Sequence, residues 1–375
     1  MSYNFVLQQF QSLKMNNSTI NWKNQVTTLL ETQYPVIQAP MFGVSTPSMA
    51  AAASKAGCLG SLPLGDLSVD DCIATIRGTK QLTDTKFAVN IFVNEIPEIT
   101  DSLRAQYAET KRFIEQLAAD YHMSIDLPEI DTLKIRSYHD QIDVLISENC
   151  KIVSFTFGNL DHQSIEKLKN NDTILIGTCT SVEEAVILEK SGIDIICVQG
   201  IEAGGHRGSF TNENIPQIGG FSLLSQVYDT VNVPLLYAGG IYDAKTLLAA
   251  KTLGAQGFQV GSLLLGSAES ALKEFEKERL RSAKENDIIL TKSFSGRYAR
   301  GVQNAFMKAI DSTQYILPYP YQNKLTAGLL KAAKLKENAD FVSIWAGQSL
   351  HSFSQESTEN ILLNLIKEAE HFPLK

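Results

Sequence analysis

The chain has 375 residues, 44% of them apolar and 20% charged, enough to bury a large core, and its formal net charge is -8. That acidic balance leaves no basic surplus to neutralise phosphates and excludes a nucleic acid or an acidic membrane surface as the main partner. No apolar run approaches the ~20 residues that cross a bilayer, and the opening "MSYNFVLQQFQSLKMNN" lacks the charged start and unbroken apolar core of a secretion signal.

In chain order, "PVIQAPM" (35–41) reads as a first strand and "PSMAAAASKAG" as its helix. "CLGSLPLG" (58–65) is followed by "SVDDCIATIRG", and "FAVNIFV" (87–93) is the third strand. Residues 94–149 interrupt the rhythm with helix-forming, mixed-charge sequence. They read as a helical insertion, about 94–135, followed by the helix before the fourth strand. "KIVSFTFG" (151–158), "TILIGTCT" (173–180), "IDIICVQG" (193–200), "VPLLYAGG" (233–240) and "GFQVGSLLLG" (257–266) complete the series, most of them followed by an amphipathic segment.

Near-continuous apolar strands alternating with helices predict an α/β protein with a parallel sheet covered by helices. Eight such units fit the ~250 residues of a (β/α)8 TIM barrel, placed here at residues 25–270. A doubly wound open sheet is the alternative, but "APMFGVSTPS" after the first strand carries neither GxGxxG nor GxxxxGK[ST]. Residues 271–375 begin with the charged "ALKEFEKERLRSAKEND" and continue through "TKSFSGRYARG" and "QYILPYPYQN" to "FVSIWAGQSL". They are expected to form a mainly helical C-terminal cap over the barrel mouth, the tyrosine-rich part serving as an apolar wall.

Five cysteines (Cys58, Cys72, Cys150, Cys179, Cys197) without CxxC spacing suit reduced thiols better than disulfides or zinc, which points to the cytoplasm. No histidine–carboxylate grouping has zinc-ligand spacing, and Ser48 and Ser209 lack the G-x-S-x-G context of a hydrolase.

Barrel chemistry belongs at the C-terminal strand ends. Those ends carry Met41, Asn90, the stretch Gln199–Gly208, Gly239-Gly240 and Gly261-Ser262. The glycines of "AGGIYDAKT" and "QVGSLLLG" offer bare backbone N–H groups to a phosphate, or else make a tight turn. His206, in "EAGGHRG", is the only histidine at a predicted strand end. It serves either proton transfer or a hydrogen bond to a loop carbonyl. Arg207 suits a phosphate or carboxylate, or a structural ion pair. His122, His139, His162, His351 and His371 fall in predicted helices or the tail and read as structural.

Taken together, "PVIQAPM", "VNIFV", "VQGIEAGGHRG", "YAGGI" and "QVGS", with "WAGQ" at 345–348, resemble the nitronate monooxygenases, formerly 2-nitropropane dioxygenases. The resemblance implies an FMN-dependent (β/α)8 barrel. Ala39, Pro40, Met41, Asn90, Gln199 and Gly204 would line the flavin. Gly240 and Gln259, Val260, Gly261 and Ser262 would hold its phosphate, and His206 would be the catalytic residue. It further implies oxidation of alkyl nitronates, propionate 3-nitronate among them, by O2 to carbonyl compounds and nitrite. The same features resemble FMN-dependent enoyl-acyl-carrier-protein reductases and NAD(P)H:quinone reductases, and a non-catalytic flavin-binding sensor is the reading from another class. Monomer or homodimer, and the use of NAD(P)H, are left open by the sequence.

Overall fold

Each apolar run contributes one parallel strand: β1 (Val36–Gln38), β2 (Ser61–Gly65), β3 (Ala88–Phe92), β4 (Ile152–Thr156), β5 (Ile174–Cys179) and β6 (Ile195–Gln199). A two-residue strand, β7 (Gly205–His206), lies outside the series, which resumes with β8 (Leu235–Ala238) and β9 (Gly257–Val260). These come from a computed structural model that describes residues 20–350 and 353–373. The N-terminal stretch read above and His351 lie outside the described residues.

The strand order β1-β9-β8-β6-β5-β4-β3-β2 leaves β1 and β2 at the two ends. Backbone bonds join those ends, with Leu59 N–H donating to Val36 O and Gln38 N–H donating to Leu59 O, both at 2.9 Å. The sheet therefore curls into the (β/α)8 barrel expected from the strand and helix alternation. Helices follow promptly because Thr46, Ser68, Asp161, Ser181 and Asp243 each accept a first-turn backbone N–H. Such caps satisfy donors that the helix itself cannot.

The strand period of two decides where the barrel is filled and where it is open. Ile37, Ala88, Ile152, Ile176, Ile195 and Leu236 form one inner cluster, plugged by Val26 and Leu30 of the helix Gln25–Leu30. Two or four residues further along the same faces, the side chains turn polar: Asn90, Ser154, Thr156, Thr178, Gln199. The N-terminal half of the barrel is packed, and the C-terminal half is left to a ligand.

A second core lies above the mouth. The helix Asp101–Asp120 contributes Leu103, Tyr107, Ile114 and Ala118. These pack with Leu265, Leu272, Phe294, Phe306, Leu325 and Leu329 from the far end of the chain. The residues after 271 differ from a mainly helical cap in two respects. They include a β-hairpin, β10 (Ile288–Thr291) and β11 (Ala299–Val302), and β11 pairs antiparallel with β7. The last helix, Thr358–Glu370, packs between the helices Pro47–Lys55 and Ala244–Thr252, taking the eighth place in the outer ring. Residues 271–357 are thus an excursion between the eighth barrel strand and its helix. β11 reads "ARGV", an arginine and a glycine where a buried strand would be apolar, so no apolar run announces it.

Candidate active site

One cavity of about 500 Å³ opens at the C-terminal ends of the barrel strands and is roofed by the excursion. Its size is that of a site for a cofactor or drug-sized ligand. The floor is the polar strand-end set, including Asn90, Ser154, Thr178 and Gln259. The helix Tyr321–Leu335 supplies the opposite wall through Asn323, Lys324, Ala327, Leu330 and Lys334, spaced along one helical face.

His206 is half-buried and reaches the cavity. Its Nε2 lies 2.8 Å from Ser295 Oγ. That hydroxyl donates its own proton to the Arg297 carbonyl (3.1 Å) and accepts from the Arg297 N–H (3.2 Å). A hydroxyl carries one proton; with it on the Arg297 carbonyl, Nε2–H is the donor to Ser295 and Nδ1 keeps its lone pair. Burial, reinforced by the Arg297 charge, pulls the imidazole pKa down to about 4. The ring is neutral at physiological pH. Phe157 and Trp345 flank it, each with its ring centroid 5.6 Å away.

The glycine-rich loop after β6 is held from behind. Arg207, 2% exposed, donates to the carbonyls of Gly200 (2.5 Å) and Gln199 (3.1 Å). Arg300 Nε donates to Ile201 O (3.0 Å) and Arg297 to Ser209 O (2.6 Å). Arg207 therefore serves neither a phosphate nor an ion pair but the backbone of its own loop. Gln199 does similar work: its amide nitrogen donates to His206 O at 3.1 Å, and its amide oxygen accepts from Gly208 N–H at 2.8 Å.

Bare backbone lies on the cavity rim opposite. Gly239 and Gly240 hold φ of +128° and +67°, conformations that L side chains rarely adopt. A Cβ on Gly204 would stand 2.3 Å from Gly347 N, so the loop and the "WAGQ" segment can touch only through glycine. Gly347 N–H donates to Ser262 Oγ at 2.8 Å, which leaves the serine proton free to donate. Gln348 N–H donates to Glu202 O at 3.1 Å, stitching the segment to the same loop.

Of the residues singled out in the sequence, the cavity brings together Ala39, Pro40, Met41, Asn90, Gln199, Gly204, His206, Gly240, Gln259, Gly261 and Ser262. Val260 is not among them: its side chain is buried in the layer between strands and helices, and only its carbonyl works, accepting Ala39 N–H at 2.8 Å. His122, His139, His162 and His371 are absent from the lining. Sequence reasoning missed Ser295, Arg297, Phe157 and Trp345. "SFSGRYARG" was visible as a serine–arginine cluster, but nothing local ties it to a loop almost ninety residues earlier (|i−j| of 89 for His206–Ser295). Among the described residues no cluster of His, Cys, Asp or Glu could hold a metal ion, and no helix is long and apolar enough to cross a membrane.

The sequence model of the nitronate monooxygenase family matches residues 23–368. A protein of Staphylococcus saprophyticus described as a probable nitronate monooxygenase is 38% identical over 353 residues, covering 92% of this chain and 97% of its own. A Staphylococcus aureus protein of the same description is 36% identical over 349 residues, with the same coverage. Among solved structures, nitroalkane oxidase from Streptomyces ansochromogenes superposes with a TM-score of 0.84 at 31% identity, covering 92% of this chain and 98% of that one. FabK from Thermotoga maritima gives 0.72 at 27% identity, covering 93% and 97%.

Proposed function

Since the chain belongs to the nitronate monooxygenase family, we propose that it is an FMN-dependent oxidoreductase that converts alkyl nitronates and O2 to carbonyl compounds and nitrite. The observation that carries this reading is the cavity that unites a neutral imidazole with a glycine- and serine-lined rim. Atoms and charge balance when two nitronates and one dioxygen yield two carbonyls and two nitrites.

The residues present fit FMN. Gly240, Gly261 and Ser262 offer backbone N–H groups and one hydroxyl proton, donors that suit a phosphate. No Cβ fills the space above Gly240, where the nearest atom would be 3.5 Å away. Ala39, Pro40, Met41 and Asn90 supply an apolar and amide-lined face for a planar ring. Ser45 fixes that face: its Oγ accepts the Met41 N–H at 3.0 Å and bonds to Ala39 O at the same distance. FMN, when bound, supplies the electron acceptor and the chemistry with oxygen.

The chain's own residues bind and handle protons. His206 Nδ1 accepts the α-proton of a neutral nitroalkane, and Ser295 keeps the opposite nitrogen protonated so that the base is always presented. For a nitronate, already an anion, no base is needed. Propionate 3-nitronate and simple alkyl nitronates are both in the range of substrates to assay, with the chain working free in the cytoplasm.

The test is the absorption spectrum of the purified protein followed by nitrite release from ethyl nitronate in air. Flavin bands and nitrite are the expected result; a colourless protein that takes up no added FMN, or a yellow one that makes no nitrite, overturns the reading. Rapid bleaching of the flavin by NADH or NADPH without air would point instead to the enoyl-acyl-carrier-protein or quinone reductases that the sequence also resembles.

A further inference from the structure

Buried tyrosines nearly always find a hydrogen-bond partner for the phenol, and in this protein most do. Tyr107 donates to Pro128 O at 3.0 Å, Tyr321 to Pro97 O at 2.5 Å, and Tyr237 to the Glu202 carboxylate. Tyr319 is the exception. It is 3% exposed, it lines the cavity, and among the described residues its hydroxyl has no protein partner. Nor is that oxygen sealed in the protein, since it is not one of the enclosed polar atoms left unbonded. It opens on the same cavity as His206.

The two rings share a support. Phe157 meets Tyr319 edge-on at 5.8 Å and His206 edge-on at 5.6 Å, and the Arg297 guanidinium lies 4.2 Å from its ring centre. Phe157 adopts φ of +79°, a left-handed conformation that is costly for a bulky side chain and marks a position fixed by its surroundings. Its N–H donates to Gly208 O at 3.3 Å, and this bond ties the Phe157 backbone to the His206 loop. One strained aromatic thus touches both the base and the phenol that open on the cavity.

From this juxtaposition we infer that Tyr319 is a substrate-binding residue whose hydroxyl donates a hydrogen bond to an oxygen of the nitro or nitronate group, while His206 faces the adjoining carbon. This rests on the proposed function for the identity of the substrate, though not for the anion site itself. Arg297 sits behind both rings and spends one donor on Ser209 O, leaving its charge to favour an anion between them. Burial and the nearby Asp66 carboxylate raise the phenol pKa, so the hydroxyl stays protonated and keeps a proton to donate.

The test uses the FMN-loaded protein and inorganic nitrate, a planar, unreactive anion, titrated by the change in flavin absorbance. Tyr319→Phe keeps the ring on Phe157 and removes only the donor. A lost hydrogen bond to a charged group should weaken nitrate binding roughly tenfold or more and raise the KM for ethyl nitronate by a similar factor, with FMN content and kcat nearly unchanged. Nitrate affinity and KM within twofold of wild type, or a wild type blind to nitrate, would overturn the inference. Should the phenylalanine variant fold poorly, 3-fluorotyrosine at position 319, a stronger donor, should tighten nitrate binding; unchanged or weaker binding counts against it. A wild type that makes no nitrite, combined with a Tyr319→Phe defect in nitrate binding, would refute the proposed function while leaving the anion site standing.

Discussion

Ser295→Ala separates the two halves of the mechanism. The substitution removes the acceptor 2.8 Å from His206 Nε2 and, with it, the atom that ties down Arg297 N–H and O. An imidazole N–H left unbonded in a buried setting costs about 1–3 kcal/mol, and a conformational shift of that size changes the population of the presented base by roughly 5- to 150-fold. The expected result is roughly a 10- to 100-fold fall in kcat/KM for neutral nitroethane, less than the ~100- to 10,000-fold that losing a general base altogether costs. Ethyl nitronate carries no proton to remove, so its kcat/KM should stay within about threefold by the same reasoning. Ser295→Thr, which restores the hydroxyl, should recover most of the nitroethane activity. Nitrite release from both substrates in parallel is the assay. Equal losses on the two substrates would mean that Ser295 only holds the fold, and no loss on either would mean that Nδ1 is not the working base.

The pH profile follows from the depressed His206 pKa. Turnover of nitroethane should be flat through neutrality, with an acid limb well below the ordinary 6.5, and Arg297→Gln should move that limb upward because a positive charge is removed. The unfolded chain binds more protons than the folded one between pH 6.5 and about 4, so His206 makes stability fall as pH drops through that window; melting of His206→Gln should show a shallower acid slope. Ser262→Ala leaves Gly347 N–H without its acceptor and removes a donor to the phosphate, so the Kd for FMN should rise about tenfold by fluorescence titration, and an unchanged Kd would refute the assignment. Gly204→Ala drives a Cβ to 2.3 Å from Gly347 N and 2.5 Å from Ala346 C; backbone must move, at a cost of about 1–3 kcal/mol, visible as a lower Tm and loss of bound flavin on gel filtration.

The barrel was legible in the sequence because its strands are buried on both faces. "KIVSFTFG" and "IDIICVQG" are nearly unbroken apolar runs, and the observed strands fall inside every one of the eight runs read. The cavity lining was legible at the strand ends: Asn90, Gln199 and Gln259 are polar residues at inward positions where the strand would otherwise stay apolar. What escaped was long-range. Ser295 reaches His206 only because β11 pairs with β7, with Ala299 opposite His206, and that pairing is set by a second core built from residues 103–130 and 265–346. Neither half of that core is apolar enough alone to announce its partner. Periodicity reports which face of an element is buried, not against what.

The same long-range pairing explains why three arginines are buried beside a loop rather than exposed. Arg207, Arg297 and Arg300 are 2%, 4% and 7% exposed, and burial depresses the first two to about pH 10, still charged at neutrality. Two carboxylates, Glu202 and Glu184, act favourably on them, so the cluster retains a surplus positive charge. Buried charge is expensive unless hydrogen-bonded, and the carbonyls of Gln199, Gly200, Ile201 and Ser209 are what these guanidiniums bond. The arrangement serves both sides, with Arg207 Nε left buried without an acceptor. A glycine-rich loop that would otherwise be free to move gains fixed anchors, and the arginines gain acceptors. The surplus charge then lies behind His206, where it adds to burial in keeping the imidazole neutral and available as a base, and it draws anions toward the mouth. Glycines lend such a loop no stiffness, so it comes from Gln199 and Arg207 within the stretch and from Arg297 and Arg300 of a hairpin some hundred residues away (|i−j| of 99 for Arg300–Ile201).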